Sequence, residues 1–342
     1  MTTTVGSGLG SSFGVGAEIT YGTYATPTRW VGFQSETLEW KPSRTSGKGL
    51  YAGQLTPSQD QRTTTSAAVT GNVVTDFFVK NMGLLLGNAM GTQNVVPTTL
   101  GNGAFSTVHP WSNATGQSLS AQIAIPDVNG NVHTKNLVGL ACTDFQLDVK
   151  LDAPLLATFT FDGKDELAAD YTTATPFGPP YTTPIFNAPN PSFFWNQTGF
   201  SIGAFGSEAA VEGVRSFNLS TKRPMNTTRY YVDGTGRKAE PVQNAESVIT
   251  GTIEIDLLNY TDFVDSFYSD QSQSVILTAT GGLIGGAFSY SLTVAMPAIH
   301  FDSEPPKVSG PELIMPKMTF TATYDDTHAP LTITTISSDS VL

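Results

Sequence analysis

The sequence predicts a mainly β protein built from two tandem copies of one fold, each a β-sandwich or small barrel with one short flanking α-helix. Three observations lead to this prediction. Thr, Ser, Gly, Val, Phe and Tyr are abundant in the 342-residue chain, and only 13% of its residues are charged. No segment sustains the apolar period of a long helix, which argues against a helix bundle. Several short patterns also occur twice in the same order, which indicates an internal repeat.

The repeat consists of four pairs of similar segments in collinear order. In the clearest pair both segments follow S-x-S-x-x-[IV]-A-[IM]-P-x-[VI], and another pair shares a Thr-Gly dipeptide. Chance similarity between amphipathic strands would explain any single pair in a Thr-rich chain, whereas four collinear pairs favour duplication. The four pairs are residues 33–38 with 214–219, 69–78 with 249–258, 118–128 with 289–299, and 158–162 with 321–325.

Alternation of apolar and polar residues predicts two strands at the start of each copy, separated by a long polar loop. The predicted first strands cover about 30–41 and 211–222, the loops 42–62 and 223–243, and the second strands 63–78 and 244–258. Further strands are expected downstream in each copy, and the last ends at a Thr-x-Thr-Phe/Tyr-Asp sequence.

Each second strand is expected to lead into one short amphipathic helix. The first helix is predicted near Val79–Asn88. The second is predicted to begin near Asn259, whose side chain is a suitable N-terminal cap. A helical period there places one apolar face on Tyr260, Phe263, Val264 and Phe267.

The chain is predicted to divide near residue 170. Residues 1–170 would hold an N-terminal arm and the first copy, and residues 171–342 a linker, the second copy and a C-terminal arm. The linker, 171–196, contains six prolines followed by three consecutive aromatic residues, which is typical of a stiff, anchored connection. The first 29 residues and the last 16 (327–342) show little periodicity, so we expect these arms to be disordered in an isolated subunit.

The charge balance argues against a tight nucleic-acid binder. The chain has 29 acidic and 17 basic residues and a net charge of −12. Tight binding to phosphates requires Lys and Arg, whereas an acidic wall would let DNA pass without adhering. The N-terminus has neither a basic start nor an apolar stretch, and no run of residues is long and apolar enough to span a membrane. We therefore expect neither a signal peptide nor membrane contact, and synthesis in a cytoplasm.

The sequence contains no recognisable catalytic or metal-binding motif. Its four histidines are far apart, and neither a Gly-x-Ser-x-Gly motif nor a phosphate-binding loop is present. The single cysteine, Cys142, lies in a strand-like run and is expected to be a core residue. Acidic residues at 162–166 and 325–326 fit either a calcium or carboxylate site or strand-end turns, and turns are favoured. Residues 232–236 are expected to form a hairpin tip. We predict no enzyme activity, no catalytic residue, no metal and no cofactor.

Basic residues are concentrated in the two long loops. These loops hold seven of the 17 basic residues, together with three tyrosines. A solvated hairpin is one explanation. The other is a contact surface, because Arg and Tyr are enriched at interfaces and a basic loop can dock onto an acidic neighbour. The same bias in both copies favours contact, and the candidate residues are Arg44, Lys48, Tyr51, Arg62, Arg223, Arg229, Tyr230, Tyr231, Arg237 and Lys238.

Two segments resemble the tail-tube proteins of siphophages, especially those that infect actinobacteria. They are Glu18–Leu38 (EITYGTYATPTRWVGFQSETL) and Lys80–Gly87 (KNMGLLLG). The resemblance implies a tail-tube β-sandwich with a flanking helix, whose inner sheet joins those of neighbouring subunits around a DNA channel. It also implies that the loop between the first two strands reaches the adjacent ring.

Family membership of this kind implies a virion protein of the tail, assembled in the host cytoplasm. The implied partners are further copies of the chain, the tail terminator, tape measure and distal tail proteins, and double-stranded DNA that passes without specific binding. Tail-tube rings usually contain six such folds. Because two folds per chain meet that number with three chains, a trimeric, pseudo-hexameric ring is favoured over a hexamer.

Two other functional classes compete with this interpretation. A carbohydrate-binding or adhesin-like β-sandwich would present a cluster of exposed aromatic residues on a monomer. The chain has only four tryptophans, and none of them recurs between the copies. A hydrolase on a β scaffold is disfavoured because no catalytic constellation is present.

Overall fold

The computed structural model describes residues 8–49, 51, 53, 55–56, 58–129, 131–167, 181–186, 190–256, 261–303, 310–311 and 313–342. The described chain is mainly antiparallel β with two short helices, which confirms the predicted mainly β class. The strands are β1 Ser12–Ala17, β2 Arg29–Val31, β3 Ser35–Glu36, β4 Glu39–Ser46, β5 Arg62–Asp76, β6 Thr98–Gly101, β7 Ala104–Pro110, β8 Leu119–Pro126, β9 Val132–Lys150, β10 Leu156–Gly163, β11 Asp165–Glu166, β12 Thr198–Gly203, β13 Ala209–Ala210, β14 Val214–Lys222, β15 Met225–Asn226, β16 Val242–Gln243, β17 Val248–Ile255, β18 Gln273–Gly285, β19 Phe288–Phe301, β20 Lys317–Ala322 and β21 Thr332–Ser337.

One antiparallel sheet runs through both halves of the chain. Its strands follow the order β4, β5, β10, β9, β14, β17 and β20, and β20 also pairs with the end of β19. Side chains on these strands alternate between buried apolar and partly exposed polar positions. This main sheet therefore has one face on the core and one polar face, as period-two alternation dictates.

Two long strands, β9 and β19, extend from the main sheet into a second layer. The first part of β9 pairs with β8, which pairs with β1, and β1 pairs with β2. Likewise β19 pairs on one side with β18, which pairs with β12. On its other side β19 pairs with β21. The strand β21 in turn pairs with β7 of the first half, and β7 with β6. Buried side chains from both layers, from the helix at Gly83–Met90 and from Phe263 form one hydrophobic cluster.

Phenylalanines occupy the centre of this core. Phe159 on β10 lies between Phe145 and Phe161, with ring centroids 5.1 and 6.4 Å away. In the second half, the ring of Phe217 is 6.1 Å from that of Phe320. Each of these rings is essentially inaccessible to solvent. Burial of large rings on one face of the main sheet is the main apolar contribution to the fold.

The strands of the two halves follow the same order. In the first half, hydrogen-bonded neighbours run β3 and β4, β5, β10, β9, β8 and β1. In the second half they run β14, β17, β20, β19, β18 and β12. A helix follows β5 in one half and β17 in the other.

A shared glycine marks the same close approach in both halves. A Cβ atom at Gly71 on β5 would lie 2.3 Å from the carbonyl oxygen of Thr37, and one at Gly251 on β17 would lie 2.3 Å from that of Asn218. These glycines belong to the Thr-Gly dipeptides of one predicted pair. Thr37 and Asn218, which provide the two carbonyl oxygens, are corresponding residues of a second pair, 33–38 with 214–219. Only glycine fits, because any side chain would collide with the neighbouring backbone.

In the other two sequence pairs the matched residues do not correspond, because one pair falls on different strands and the other is out of register. Residues 118–128 lie largely on β8, whereas 289–299 lie on β19, and the counterpart of β8 in the shared order is β18. In the last pair the register differs, because Phe159 pairs with Val73 while Met318 pairs with Ile253. Met318 is therefore the structural counterpart of Phe159. The predicted match of 158–162 with 321–325 is out of register because the two strands have similar residue patterns.

The two helices lie close to their predicted positions. Helix α1 covers Gly83–Met90 and ends at Gly91, which adopts a left-handed conformation with φ of 78°. In the second half, a single π turn at Thr261–Asp265 continues into helix α2, Ser266–Ser269. Phe263 and Val264 are buried, as the predicted apolar face requires. The predicted start at Asn259, and Tyr260 of that face, lie outside the described residues.

The prediction that both terminal arms are disordered is wrong for their described parts. Strand β1 lies within the first 29 residues and buries Phe13 and Val15 against β8. Strand β21 lies within the last 16 residues, buries Ile333 and completes a sheet between β19 and β7. Both segments are short and Gly- or Thr-rich, so their local pattern is weak. Backbone pairing with distant strands gives them their structure.

The first predicted loop begins later in the structure than in the prediction. Strand β4 continues through Pro42 to Ser46, although the loop was predicted from residue 42. Proline is compatible with β4 because this strand pairs on one side only within the described chain.

In the linker, Phe193 is buried and its ring stacks on that of Phe77, which provides the predicted aromatic anchor. Prolines 176, 179, 180 and 189 lie outside the described residues.

No helix within the described ranges is long and apolar enough to cross a membrane.

Replacing Phe159 by alanine is expected to destabilise the subunit by about 3–5 kcal/mol, because the change leaves a cavity between two packed rings. Thr158→Ala is the matched control, since Thr158 is the preceding residue and lies on the polar face of the same strand. Its effect should stay within about 0.5 kcal/mol. Urea denaturation of unassembled subunits measures both values, and equal losses in the two variants would contradict this assignment of the core.

His109 on β7 is expected to make stability depend on pH. It is fully buried, its Nδ1 lies 2.8 Å from the Thr92 hydroxyl, and burial lowers its pKa to about 4 from 6.5. The unfolded chain therefore binds more protons at this site than the folded chain between these pH values. The histidine's contribution is intact above about pH 6.5 and is lost as pH falls toward about 4.

The free energy of unfolding, measured against pH, should accordingly fall less steeply across this window in His109→Gln than in the native protein. The variant's lower stability at neutral pH does not affect this comparison of slopes. Parallel curves for the two proteins would show that His109 does not titrate in this way.

Candidate assembly surface

The first basic loop forms part of a hairpin that projects from the body. We call residues 42–62 the projecting arm. Its strands remain paired, with Arg44 opposite Thr64 and Ser46 opposite Arg62. Along this stretch nearly all described side chains are exposed on both faces, because Thr and Ser replace the apolar row found nearer the core. Arg44, Lys48 and Arg62 are exposed, and Tyr51 is 58% exposed.

The second basic loop instead folds against the first half of the chain. We call residues 223–243 the clasped segment. Arg223 at its start is 2% exposed, and its guanidinium lies 4.3 Å from the centre of the Trp111 ring. Its Nη2 donates a hydrogen bond of 2.8 Å to the carbonyl oxygen of Ser112. Burial lowers the pKa of Arg223. This arginine fastens β14 to the segment that follows β7.

Two adjacent basic residues hold the tip of the clasped segment. Lys238, also 2% exposed, forms an ion pair with Asp162 at the end of β10. Arg237 pairs with Asp165, which also accepts a hydrogen bond of 2.8 Å from the indole of Trp40. Burial raises the pKa of Asp162, and the Lys238 ammonium opposes that rise. Removing one member of such a buried pair would leave the other uncompensated.

Backbone contacts complete the docking of the clasped segment. The Ala67 amide of β5 donates a 3.2 Å hydrogen bond to the carbonyl oxygen of Gly236. Arg229 binds the carbonyl oxygen of Glu240 and donates to the Tyr231 hydroxyl at 3.0 Å, so it stabilises the segment internally. The aromatic ring of Tyr231 remains more than half exposed. Of the predicted contact residues in this segment, Arg223 and Lys238 are thus enclosed within the subunit.

Sequence reasoning identified the basic members of this arrangement and missed their partners. Asp162 and Asp165 belong to the predicted strand-end turn at 162–166, and the sequence predicts no role for Trp111. The acidic residues are more than 70 positions from Arg237 and Lys238 in the chain. No local pattern links two acids at the end of one strand to two bases in a distant loop, so only the fold reveals the pairs.

The other polar motifs form turns. Asp325 accepts hydrogen bonds from the amides of Thr327 and His328 and from the His328 ring, and these lower its pKa to about 2. Asp233 similarly caps the turn at 232–236 through the amide and hydroxyl of Thr235. Cys142 is buried, which raises the pKa of its thiol to about 12 and suppresses thiolate chemistry. Within the described part of the chain, no three metal-ligating side chains converge.

One edge of the main sheet is left open at the start of the first half. Strand β14 pairs on one side with β17 and on the other with β9. Its counterparts β3 and β4 pair only with β5 among the described strands. At this edge the Leu38 amide donates to the Glu36 carboxylate at 2.8 Å, and the Lys135 ammonium lies 3.1 Å from the same carboxylate and 3.5 Å from the Leu38 carbonyl oxygen. Charged side chains thus cover backbone groups that β9 covers in the other half.

The geometry is that of a β subunit with an open edge on its main sheet, a projecting hairpin and, among its described residues, no cluster of metal-ligating side chains. A comparison with curated proteins finds none that matches the chain. A family model described as "Phage tail tube protein" matches residues 8–322. Because this match covers nearly the whole chain, the protein belongs to the phage tail tube protein family.

Proposed function

We propose that the protein is the major tail-tube subunit of a siphophage, a phage with a long, non-contractile tail, and that it forms rings that stack around a DNA channel. The observation that carries the proposal is the joint between β9 and β14. At this joint two halves with the same strand order meet edge to edge in one sheet, from Ser216 opposite Lys150 to Lys222 opposite Asp144. A sheet that joins two repeats in this way is suited to join further repeats.

The open edge at β3 and β4 provides the place for the next joint. It corresponds in strand order and register to β14, since Glu36 pairs with Val73 as Phe217 pairs with Ile253. In the isolated chain its backbone groups are covered by Glu36 and Lys135. A neighbouring subunit that supplies a strand would satisfy these groups better, because exposed sheet edges otherwise promote aggregation.

We propose a ring of three chains with pseudo-sixfold symmetry. Support comes from the shared strand order, and from Gly71 and Gly251, which make the same close backbone approach in the two halves. These correspondences favour a tandem duplication, with one repeat on each side of residue 170. Three chains then supply six repeats to each ring.

The projecting arm is proposed to contact the adjacent ring. Its exposed basic side chains, Arg44, Lys48 and Arg62, lie on a subunit whose net charge is −12, so attraction to an acidic neighbour is expected. In the clasped segment the same role is proposed for the exposed parts of Arg229, Tyr230, Tyr231 and Arg237. Arg223 and Lys238 contribute indirectly, because they hold this segment in place.

The remaining partners follow from this role. The tube would pass double-stranded DNA during ejection without specific binding, and would contact the tape measure protein inside and the terminator and distal tail proteins at its ends. Assembly is proposed to take place in the host cytoplasm. This is a structural role that requires no catalysis.

Electron microscopy of the purified protein is expected to show rings or tubes. Mass measurement of a single ring should give three copies of the 36.3 kDa chain. Image averages should show threefold symmetry with six similar lobes, because the two repeats in each chain are alike but not identical. Six chains per ring would overturn the trimer. A protein that stays monomeric at high concentration, even with its tail initiator complex, would contradict the tube itself.

Charge reversal in the projecting arm, Arg44→Glu with Lys48→Glu, is expected to shorten or abolish tubes while rings still form. The reason is that the arm would then repel an acidic neighbour without altering the ring joints. Arg44→Lys with Lys48→Arg is the matched control, since it changes the same two exposed side chains and keeps both positive charges. Tube length distributions measured by electron microscopy report the effect, and tubes of native length in the charge-reversal variant would exclude arm-mediated stacking.

A further inference from the structure

The residues just before β20 form an exposed apolar segment, Leu313–Met315. Leu313, Ile314 and Met315 are 76%, 36% and 46% exposed, respectively. Single exposed apolar residues are common on protein surfaces, whereas adjacent ones indicate a surface that contacts another molecule. We call Leu313–Met315 the apolar segment.

The counterpart of the apolar segment in the first half has a buried centre. Met318 corresponds in register to Phe159, so Ile314 corresponds to Leu155, which lies four residues before Phe159. Leu155 is fully buried, although the two side chains have the same size and polarity. The difference in exposure therefore comes from what packs beside each of them.

In the first half, the linker covers the chain just before β10. The Leu155 amide donates a hydrogen bond of 2.9 Å to the carbonyl oxygen of Phe193. The Trp195 amide donates one of 3.2 Å to the carbonyl oxygen of Ala153, and an antiparallel bridge lies between these two bonds. Within the described chain, residues 313–315 have no such pairing.

Trp195 has a counterpart near the start of the first half. The strands β1 and β12, which come last in the shared strand order, both follow the pattern F-x-[VI]-G-A from Phe13 and from Phe200. Trp195 lies five residues before Phe200, and Gly8 lies five residues before Phe13. Gly8 is exposed, and a Cβ atom there would meet open space. Gly8 is therefore uncovered where Trp195 pairs with the preceding half.

Each half also has a gap between its opening strand in the main sheet and the end of its second layer. In the second half this gap is a cavity of about 150 Å³, which is lined by Trp195 and also by the end of the preceding half at 149–151. The corresponding gap in the first half, between Phe33 and Ile123, has a volume of about 460 Å³. Gly8 lines this larger gap, and no described residue closes it as 149–151 do in the second half.

We propose that the apolar segment of one subunit docks beside Gly8 in the first-half gap of the next subunit, as the chain before β10 docks beside Trp195 within each subunit. The inference rests on the proposed function and names residues that hold one chain to the next in the ring. The apolar segment and Gly8 are both exposed in the same subunit, so they do not cover each other there. A second copy of the chain is therefore the occupant.

The side-chain sizes at the two contacts are complementary in opposite directions. Within the chain the large residue is on the linker side, because Trp195 pairs with Ala153. Between chains the large residues would be on the other side, because Gly8 has no side chain and Leu313 and Met315 supply them. A close-packed contact needs one filled side and one open side, since large residues on both would collide.

Cross-linking between two kinds of subunit tests this contact directly. Subunits with Gly8→Cys are mixed with subunits with Leu313→Cys, assembled, and treated with a short bis-maleimide reagent. A covalent dimer is expected on a denaturing gel from tubes and is not expected from free subunits. The native thiol, Cys142, is buried and is not expected to react.

The control mixture combines Gly8→Cys with Tyr268→Cys. Tyr268 is 69% exposed on α2, similar to Leu313, and lies outside the apolar segment. This mixture should give no dimer in tubes. Equal amounts of dimer from the two mixtures, or none from either, would overturn the inference.

An assembly measurement provides a second test without introduced cysteines. Leu313→Ser with Met315→Ser is expected to leave the urea midpoint of the free subunit unchanged, because both side chains are largely exposed there. The critical concentration for assembly should rise by about tenfold or more, because burial of two apolar side chains is lost. The matched control is Val96→Ser with Leu283→Ser, two residues that are 79% and 71% exposed elsewhere on the subunit, and it should assemble at the native concentration.

The outcomes separate this inference from the proposed function. A critical concentration that is the same for the native protein and for Leu313→Ser with Met315→Ser would overturn the docking of the apolar segment, while the tube itself would stand. Failure of the native protein to form tubes with its tail initiator complex would instead contradict the proposed function.

Discussion

The need to pair backbone groups at the edges of β-strands governs this structure. Within the chain, β9 supplies a partner for β14 and so joins the two halves into one sheet. The C-terminal β21 fills a second gap by pairing with β19 and β7. Where no strand is available, at Leu38, the side chains of Glu36 and Lys135 cover the backbone instead. Each of these arrangements avoids the free-energy cost of leaving backbone amides and carbonyls without hydrogen-bond partners.

The two long loops show how tertiary contacts separate similar sequences. Both follow the first strand of a repeat and both are basic, yet one projects and the other is clasped. The difference lies in the neighbours: the ammonium of Lys238 reaches Asp162 and the guanidinium of Arg223 stacks on Trp111. The projecting arm has no such contacts among the described residues of its own subunit. Intrachain docking of one loop therefore leaves the other as the exposed basic element of the subunit.

Much of the fold was predictable from local patterns. Alternation located β5, β14 and β17 to within a few residues, and apolar spacing in the second half identified the buried residues Phe263 and Val264. The Thr-Gly pair at Gly71 and Gly251 marked corresponding strands, because a glycine forced by close backbone contact is a positional constraint. The pair at 118–128 and 289–299 misled, because amphipathic strands of a Thr-rich chain resemble one another wherever they lie.

The sequence alone determined the β class, the repeated opening strands, the apolar helix face and the basic character of two loops, since each of these depends on neighbouring residues. The tertiary structure decided which strands meet, which terminal segments become strands, and which basic residues are already paired. Hydrogen bonding between strand edges and ion pairs such as Lys238 with Asp162 join residues more than 70 positions apart. A local pattern shows that a strand or a charge needs a partner, but only the folded chain brings that partner within reach.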